Sequence, residues 1–444
     1  MDVESCRVRD ICRRPAPSPL PSDEPLICES DADDFVSGVR LIIAQLLPTA
    51  RPCAGVLLCG QMGGLVLSSP NGEALRPYIS WMDGRATGRH PSRNLSYFEV
   101  LAEIVGNRSE TLLGNEFRPG LPYSFLFHLQ QTGQLDHHRG AIPVTLPDYV
   151  AAALCQARPV MEWTSAAGLL DITGRSFPGT LIADLQLNGL QWPELVDFRH
   201  RVGDFRTDGH SLPVYAATGD HQCSLAGTLL RDSELSINVA TGSQVSMLSV
   251  EATTGDYQLR PYFDGLWLKT ITNIPAGRAL TAIVKLLTEI SRESCAADAG
   301  WDYFFRKAEE TAVSDIDINL AFFPGAVTGP GHLRKLTEDN LTVGHIARAS
   351  LEHMACCYDQ FGRRISSDAA WTRLVFSGGI AQKSTLLRRL IAEKMNSAFR
   401  SAGISEDALY GMVVLGRVIA GLNRTVAESS ESVRQLAEQD GQPD

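Results

Sequence analysis

The 444-residue chain predicts an α/β protein of two large domains, and three observations carry that expectation. The length exceeds what one ordinary core organises. Short apolar runs of strand type alternate with segments of helical period in both halves, which argues for largely parallel sheets. Glycine-rich turns close several of those runs, where open α/β sheets bind ligands. A hydrophobic share of 44% with 20% charged residues is that of a globular protein. The formal net charge of −11 disfavours nucleic acid and anionic membrane as partners.

Element by element, residues 1–28 carry Pro15, Pro17, Pro19, Pro21 and Pro25 and predict an extended, poorly ordered segment. Phe35, Val39, Ile42, Ile43, Leu46 and Leu47 share one helical face after Asp31. Residues 54–59 read as a buried strand, broken at Gly60-Gln61-Met62-Gly63-Gly64 and resumed as a hairpin about Asn71-Gly72. Pro77 to Arg85 is strand-like and ends in Trp81-Met82-Asp83-Gly84-Arg85. Helical patterns cover 97–112, 121–133, 147–157 and 190–200, with a loop-rich stretch at 160–174. The domain division falls near 230, giving 29–230 and 231–425, with a polar tail at 426–444. In the second half strands are expected at 235–240, 245–250, 257–262, 266–271 and 373–376. Helices are expected at 276–292, 301–312, 342–361, 384–397 and 405–422.

The residues that carry chemistry cluster at strand ends. An apolar segment ends in Gly219 and delivers Asp220, followed by His221 and Gln222; a second strand ends in Thr241-Gly242-Ser243. A carboxylate beside a small, hydroxyl-bearing turn suits phosphoryl transfer to an alcohol. The acid takes the hydroxyl proton, and backbone N–H groups of the turn hold phosphate oxygens. Two strand edges joined by a glycine turn are the plainer reading. Gly378-Gly379, between a buried strand and a helix, suits close approach of a nucleotide. The following Ile380 to Ser384 imitates a P-loop only superficially, because Gln382 stands where glycine is required. Trp81, Asp83 and Arg85 offer the aromatic face and polar groups of a sugar site, or else an ion pair beside a half-buried indole. The ten cysteines show no C-x-x-C pair, so reduced thiols are expected and no metal site is indicated. No signal peptide or membrane-length apolar run is visible, and a cytoplasmic location is expected.

Taken in order over about residues 25–425, these motifs resemble the FGGY family of carbohydrate kinases. Gly60 to Gly64 is similar to the family's G-Q-M-H-G turn, Trp81 to Arg85 to W-x-D-x-R, and Gly219 to Gln222 to the turn bearing the catalytic aspartate. Asn238 to Ser243 resembles the second phosphate motif, Ser377-Gly378-Gly379 the adenosine motif, and Ala408 to Gly411 the small-residue C-terminal helix. Within the family the sedoheptulokinase branch is the nearest likeness, through Leu154-Cys155, Pro159 to Met161, Leu333 to Thr337 and Asp339 to Arg348. The resemblance implies two actin-like (ribonuclease H-like) ATPase domains, ATP and Mg²⁺ as cofactors, a small sugar of the sedoheptulose kind, a role in the pentose phosphate pathway and a possible homodimer. Asp220 would be the general base. Gln61, Met62, Trp81, Asp83, Arg85 and His221 would hold the sugar. Thr241, Gly242, Ser243, Gly378 and Gly379 would bind nucleotide.

The chain departs from the pattern at one place. The family's first motif, D-x-G-T-T/S, does not occur in the 444 residues, so the N-terminal domain is expected to be incomplete, lacking its first strands. Gly63 also replaces a histidine, and Ala276-Gly277-Arg278 stands where N-G-G is common. Losing one phosphate loop predicts no measurable turnover for the chain as written. Three accounts stand open: a coding sequence without its first exon, a non-catalytic sugar-binding relative, or an active kinase with a substitute phosphate contact.

Overall fold

Four strands of the second half, Glu234–Val239, Ser243–Ser249, Gln258–Pro261 and Trp267–Ile274, follow one another without a long crossover helix. Consecutive strands so connected pair antiparallel. Every pairing among these four is antiparallel, with Trp267–Ile274 inserted between Ser243–Ser249 and Gln258–Pro261, and Arg373–Ser377 and Phe399–Ser401 then add in parallel on the other side of Glu234–Val239. The result is a six-stranded mixed sheet rather than the largely parallel one that alternation predicts. The computed structural model describes residues 1–50, 52–207, 209–289, 297–402 and 406–439. Positions 290–292 of one expected helix, 405 of another and 440–444 of the tail lie outside the described residues.

Two apolar cores organise the chain. One draws on residues 32–214, including Val66, Leu67, Phe125, Leu129, Ile142 and Tyr149; the other draws on residues 235–395, including Ile237, Val245, Leu280, Tyr358 and Phe376. A third cluster joins the Asp220–Gly227 helix to Asp407–Ile419 and the far face of the large sheet, through Leu225, Ala226, Leu268, Val375, Met412 and Leu415. In the first half, every sheet among the described residues has two strands.

Several expectations change. Residues 190–200 are not helical: Glu194–Val196 is a strand, parallel to Val160–Glu162 inside the stretch expected to be loop-rich. Two short apolar runs, Val160-Met161 and Leu195-Val196, find each other in a register 34 residues apart, a pairing local periodicity does not contain. The strand expected at 54–59 shrinks to Cys59–Gly60 plus a single bridge from Val56 to Val214. The hairpin turn at Asn71-Gly72 forms, but Val66–Ser68 takes Ile142–Val144 as its ladder partner. Residues 426–439, read as polar tail, form a helix whose Val426, Ser429 and Val433 are buried.

The proline-rich first segment is extended but tied at several points. Arg417 donates to the Val3 carbonyl at 2.7 Å, Leu20 N–H to Glu29 O at 2.7 Å, and Cys28 N–H to the Asp83 carboxylate at 2.6 Å. Among the described residues no helix is long and apolar enough to cross a membrane.

Candidate active site

The two turns that carry the polar residues are brought side by side by a short parallel pair. Thr218 pairs with Cys59 and Gly219 with Gly60, so Gln61 and Asp220 leave adjacent strands at the same, C-terminal, end. Asp220 then opens the helix Asp220–Gly227, where an acid is stabilised by the helix dipole. A Cβ on Gly219 would lie 2.9 Å from Met62 Sδ, so Met62 packs directly against the residue before Asp220. Trp81, 53% exposed, touches Gly63 through its Cβ and extends the same wall. Gln61 is held by a hydrogen bond to the Tyr78 hydroxyl.

Asp220 is open to solvent yet enclosed on most sides by protein, as at the floor of a cleft. That enclosure pushes its carboxyl above the ordinary carboxylate value, against backbone N–H donation from His221 and the positive charge of Arg260. A raised pKa is what a general base at neutral pH needs.

Behind the aspartate lies a buried chain of hydrogen bonds. Glu162 accepts from both the N–H and the hydroxyl of Thr164, and that hydroxyl accepts the Gly219 N–H at 2.8 Å. Ser165 Oγ donates to Ala217 O at 3.0 Å. The Glu162–Thr164 pair therefore positions the strand end from which Asp220 projects. Burial raises the Glu162 carboxyl to about 8 and that of nearby Asp148 to about 7. Carboxyls raised on folding stabilise the native state at low pH and lose that contribution as pH climbs through the folded values. Stability should therefore fall between about pH 5 and 8, by about 1.4 kcal/mol per pH unit for one proton at the steepest. Glu162→Gln should flatten this slope in urea melts taken at both ends of the range, and an unchanged slope would remove Glu162 as its source.

His221 is buried inside the protein. Arg260 Nη1 must donate to its Nδ1 at 2.9 Å, since arginine accepts no hydrogen bond. The His221 proton is then on Nε2 and faces Ser246 Oγ at 3.4 Å; Ser246 donates to Thr270, and Thr270 to the Val245 carbonyl. Burial, with Arg260 and Arg118 adding to it, keeps this imidazole neutral well below its ordinary pKa. Both ring nitrogens are used, so His221 ties the helix of Asp220 to the large sheet. Gln222 does the same through Pro261 O, at 3.1 Å.

Asp83 and Arg85 are likewise interior. Arg85 grips Asp83 through Nε at 2.8 Å and Nη2 at 2.9 Å and also reaches Glu29, which Arg76 shares. The ion pair that the simpler reading allowed is present, but buried rather than on the surface, and it anchors the segment before residue 30. Of the six residues read as sugar contacts, Gln61, Met62 and Trp81 line the cleft, while Asp83, Arg85 and His221 hold its walls.

On the other side, Thr241 and Gly242 form an exposed hairpin turn, and nothing lies within 4 Å of a Cβ built on Gly242. Neither N–H of this pair has a partner among the described residues. Ser243 is turned inward, to Asn238 O and the Tyr358 hydroxyl. Gly378, at φ +86°, lies against the Val239 backbone, where a Cβ would be 2.5 Å from Val239 O; the space at Gly379 is open. Asn238 and Ser377 join these strand ends at 2.9 Å. Ser246, bonded to His221, is three residues from Ser243 along one strand, roughly 10 Å. Among the described residues no group of three or more His, Cys, Asp or Glu side chains gathers as a metal site would.

Sequence reading missed Glu162, Thr164, Glu116, Arg118 and Arg260. The signal available was charged residues inside Gly/Pro-bounded loops (Asn115-Glu-Phe-Arg-Pro-Gly120), which gives no hint of burial.

No family model matches the chain. Among curated proteins it is similar to a xylulose kinase of Staphylococcus epidermidis, 23% identical over 53% of this chain and 48% of the relative. A xylulose kinase of Streptomyces coelicolor is 28% identical over 46% and 42%. The chain spans about half the length of the curated relatives it matches. Solved structures match nearly throughout. A gluconate kinase from Lactobacillus acidophilus superposes with a TM-score of 0.78 at 16% identity, covering 94% of this chain and 89% of that one. A xylulose kinase from Rhodospirillum rubrum gives 0.78 at 20%, covering 96% and 92%. Plasmodium falciparum glycerol kinase with ADP gives 0.76 at 14%, covering 94% and 86%. The chain has the α/β fold of these proteins.

Proposed function

We propose that the chain is a carbohydrate kinase of the FGGY type, transferring the γ-phosphoryl group of ATP to a hydroxyl of a ketose. The observation that carries this reading is the parallel pair that sets Gln61-Met62 beside Asp220 at one strand end. The likeness to xylulose kinases in sequence, and to xylulose, gluconate and glycerol kinases in fold, supports it. A sedoheptulose-like ketose is the finer reading, and rests on the motif likeness alone.

In this mechanism the acceptor oxygen attacks the γ-phosphorus as its bond to the β-bridging oxygen breaks; ADP leaves, and the hydroxyl proton passes to Asp220. Met62 and Trp81 supply an apolar wall for the carbon chain, and Gln61 a polar group at its edge. The Thr241 and Gly242 N–H groups suit phosphate oxygens, and the space at Gly379 suits the nucleoside. Asp220 is the exposed carboxylate that would face a Mg²⁺ ion carried in with the nucleotide, and that ion would supply charge neutralisation. Closure of the cleft would exclude water as a competing acceptor.

The test is ADP release from ATP with xylulose and with sedoheptulose. Ketose-dependent release supports the reading, and release that ignores the ketose counts against it. A second reading, sugar binding without transfer, is favoured by the lack of a D-x-G-T-T/S motif in these residues. It expects ketose-induced thermal stabilisation with no ADP formed.

A further inference from the structure

The helix Gly277–Thr288 begins directly on the turn that carries Thr241 and Gly242. Gly277 N–H donates to Ala240 O at 3.0 Å, and Arg278 N–H donates to Thr241 O at 2.9 Å. A Cβ on Gly277 would lie 2.6 Å from Ala240 O and 3.1 Å from Thr241 Cα, so only glycine permits so close a seat. These two N–H groups are spent on the turn, whereas those of Thr241 and Gly242 have no partner among the described residues. Any full positive charge offered beside the turn must therefore come from a side chain.

Arg278 supplies one. Its side chain is exposed, and the guanidinium lies over the Phe323 ring, 4.5 Å from the centroid. Phe323 belongs to a turn seated on the same sheet end. There Ala326 N–H donates to Asn273 O at 3.1 Å, and Asn273 precedes Ile274, the register partner of Ser243. Among the described residues the guanidinium makes no hydrogen bond and no ion pair. A cation resting on a ring face is oriented by the ring and keeps its N–H donors unspent. An exposed arginine without a carboxylate is ordinary by itself. Arg278 differs in having its backbone bonded to Thr241 and its head group held on an aromatic seat.

We infer that Arg278 is the cationic contact for the phosphate chain of the bound nucleotide, standing in for the D-x-G-T-T/S loop that these residues lack. The planar fork of arginine takes phosphate oxygens two at a time, and its full charge adds to the partial charges of the Thr241 and Gly242 N–H groups. This rests on the carbohydrate-kinase reading and deepens it, because it names the substitute phosphate contact that an active kinase of this sequence needs. Asp220 keeps its role as base.

Titration calorimetry of the full chain with ATP and with adenosine, at fixed Mg²⁺ and without sugar, separates the phosphate chain from the nucleoside. The parent should bind ATP more tightly than adenosine. Arg278→Gln should weaken ATP about 10- to 100-fold while leaving adenosine affinity and the melting temperature in place. Arg278→Lys should restore part of the loss. Lys285→Gln removes one exposed positive charge from the same helix, about two turns away, and should leave ATP affinity at the parent value. ATP affinity that is unchanged in Arg278→Gln, or lowered as much in Lys285→Gln, would overturn the inference and spare the kinase reading. So would adenosine affinity falling together with that of ATP, or equal affinities in the parent. A parent that binds neither probe removes both.

Discussion

On the kinase reading, in which a substitute contact replaces the missing D-x-G-T-T/S loop, Asp220→Asn is expected to lower ketose-dependent ADP formation by about 10²- to 10⁴-fold while leaving ketose affinity unchanged. The amide keeps the shape of the carboxyl and its place at the first turn of the helix, but cannot accept the acceptor's proton. The same substitution should leave the melting temperature unchanged or raise it. The fold pushes the Asp220 carboxyl upward, so the charged form is disfavoured in the native state at neutral pH, and a neutral side chain relieves that. Activity and stability moving in opposite senses marks a residue kept for chemistry. Asp220→Asn turning over at the parent rate would remove Asp220 as the base.

The second large effect concerns the support of that helix. Gly411→Ala should destabilise the chain by about 3 kcal/mol or more, although alanine is the better helix former by about 1 kcal/mol. A Cβ at 411 would stand 1.9 Å from the Cys223 carbonyl oxygen, and one at Gly227 would stand 1.9 Å from that of Asp407. Both obstacles are backbone, so no side chain can swing aside and the two helices must separate. Separation opens the packing of Leu225 and Ala226 against Met412 and Leu415 and displaces Asp220 at the far end of the same short helix. Gly38→Ala is the control. Gly38 lies in the helix Ala32–Leu46 with nothing within 4 Å of an added Cβ, and its replacement should raise the melting temperature slightly. A Gly411→Ala chain melting with the parent would contradict the close helix contact.

How far the site was legible from sequence differs residue by residue. Asp220 and the Thr241-Gly242 turn could be read because each follows an apolar run and ends it with a residue type that suits phosphate chemistry. Gly378 could be read because only glycine adopts φ +86° so close to a neighbouring strand without strain. Asp83, Arg85 and His221 show the limit. Their residue types fit a sugar site, but type says nothing about which way a side chain faces. In the structure each spends its polar atoms inside the protein: Asp83 and Arg85 on each other, Arg85 also on Glu29, and His221 on Arg260 and Ser246. The strand at Glu194–Val196 fails for a related reason: its partner is 34 residues away, and a helical pattern of similar length competes with it locally.

Sequence alone determined the α/β class, the order of the strand-end turns and the chemistry those turns can offer, because these depend on local pattern and residue type. Tertiary structure decided which strand ends lie side by side and which charged groups are walled into ion networks. These depend on long-range contact: the pairing of Gly60 with Gly219, the glycine-to-backbone seat of one helix on another, and the commitment of Glu116 to Arg260. Burial and charge balance are sums over neighbours distant in the chain, and no local pattern holds them.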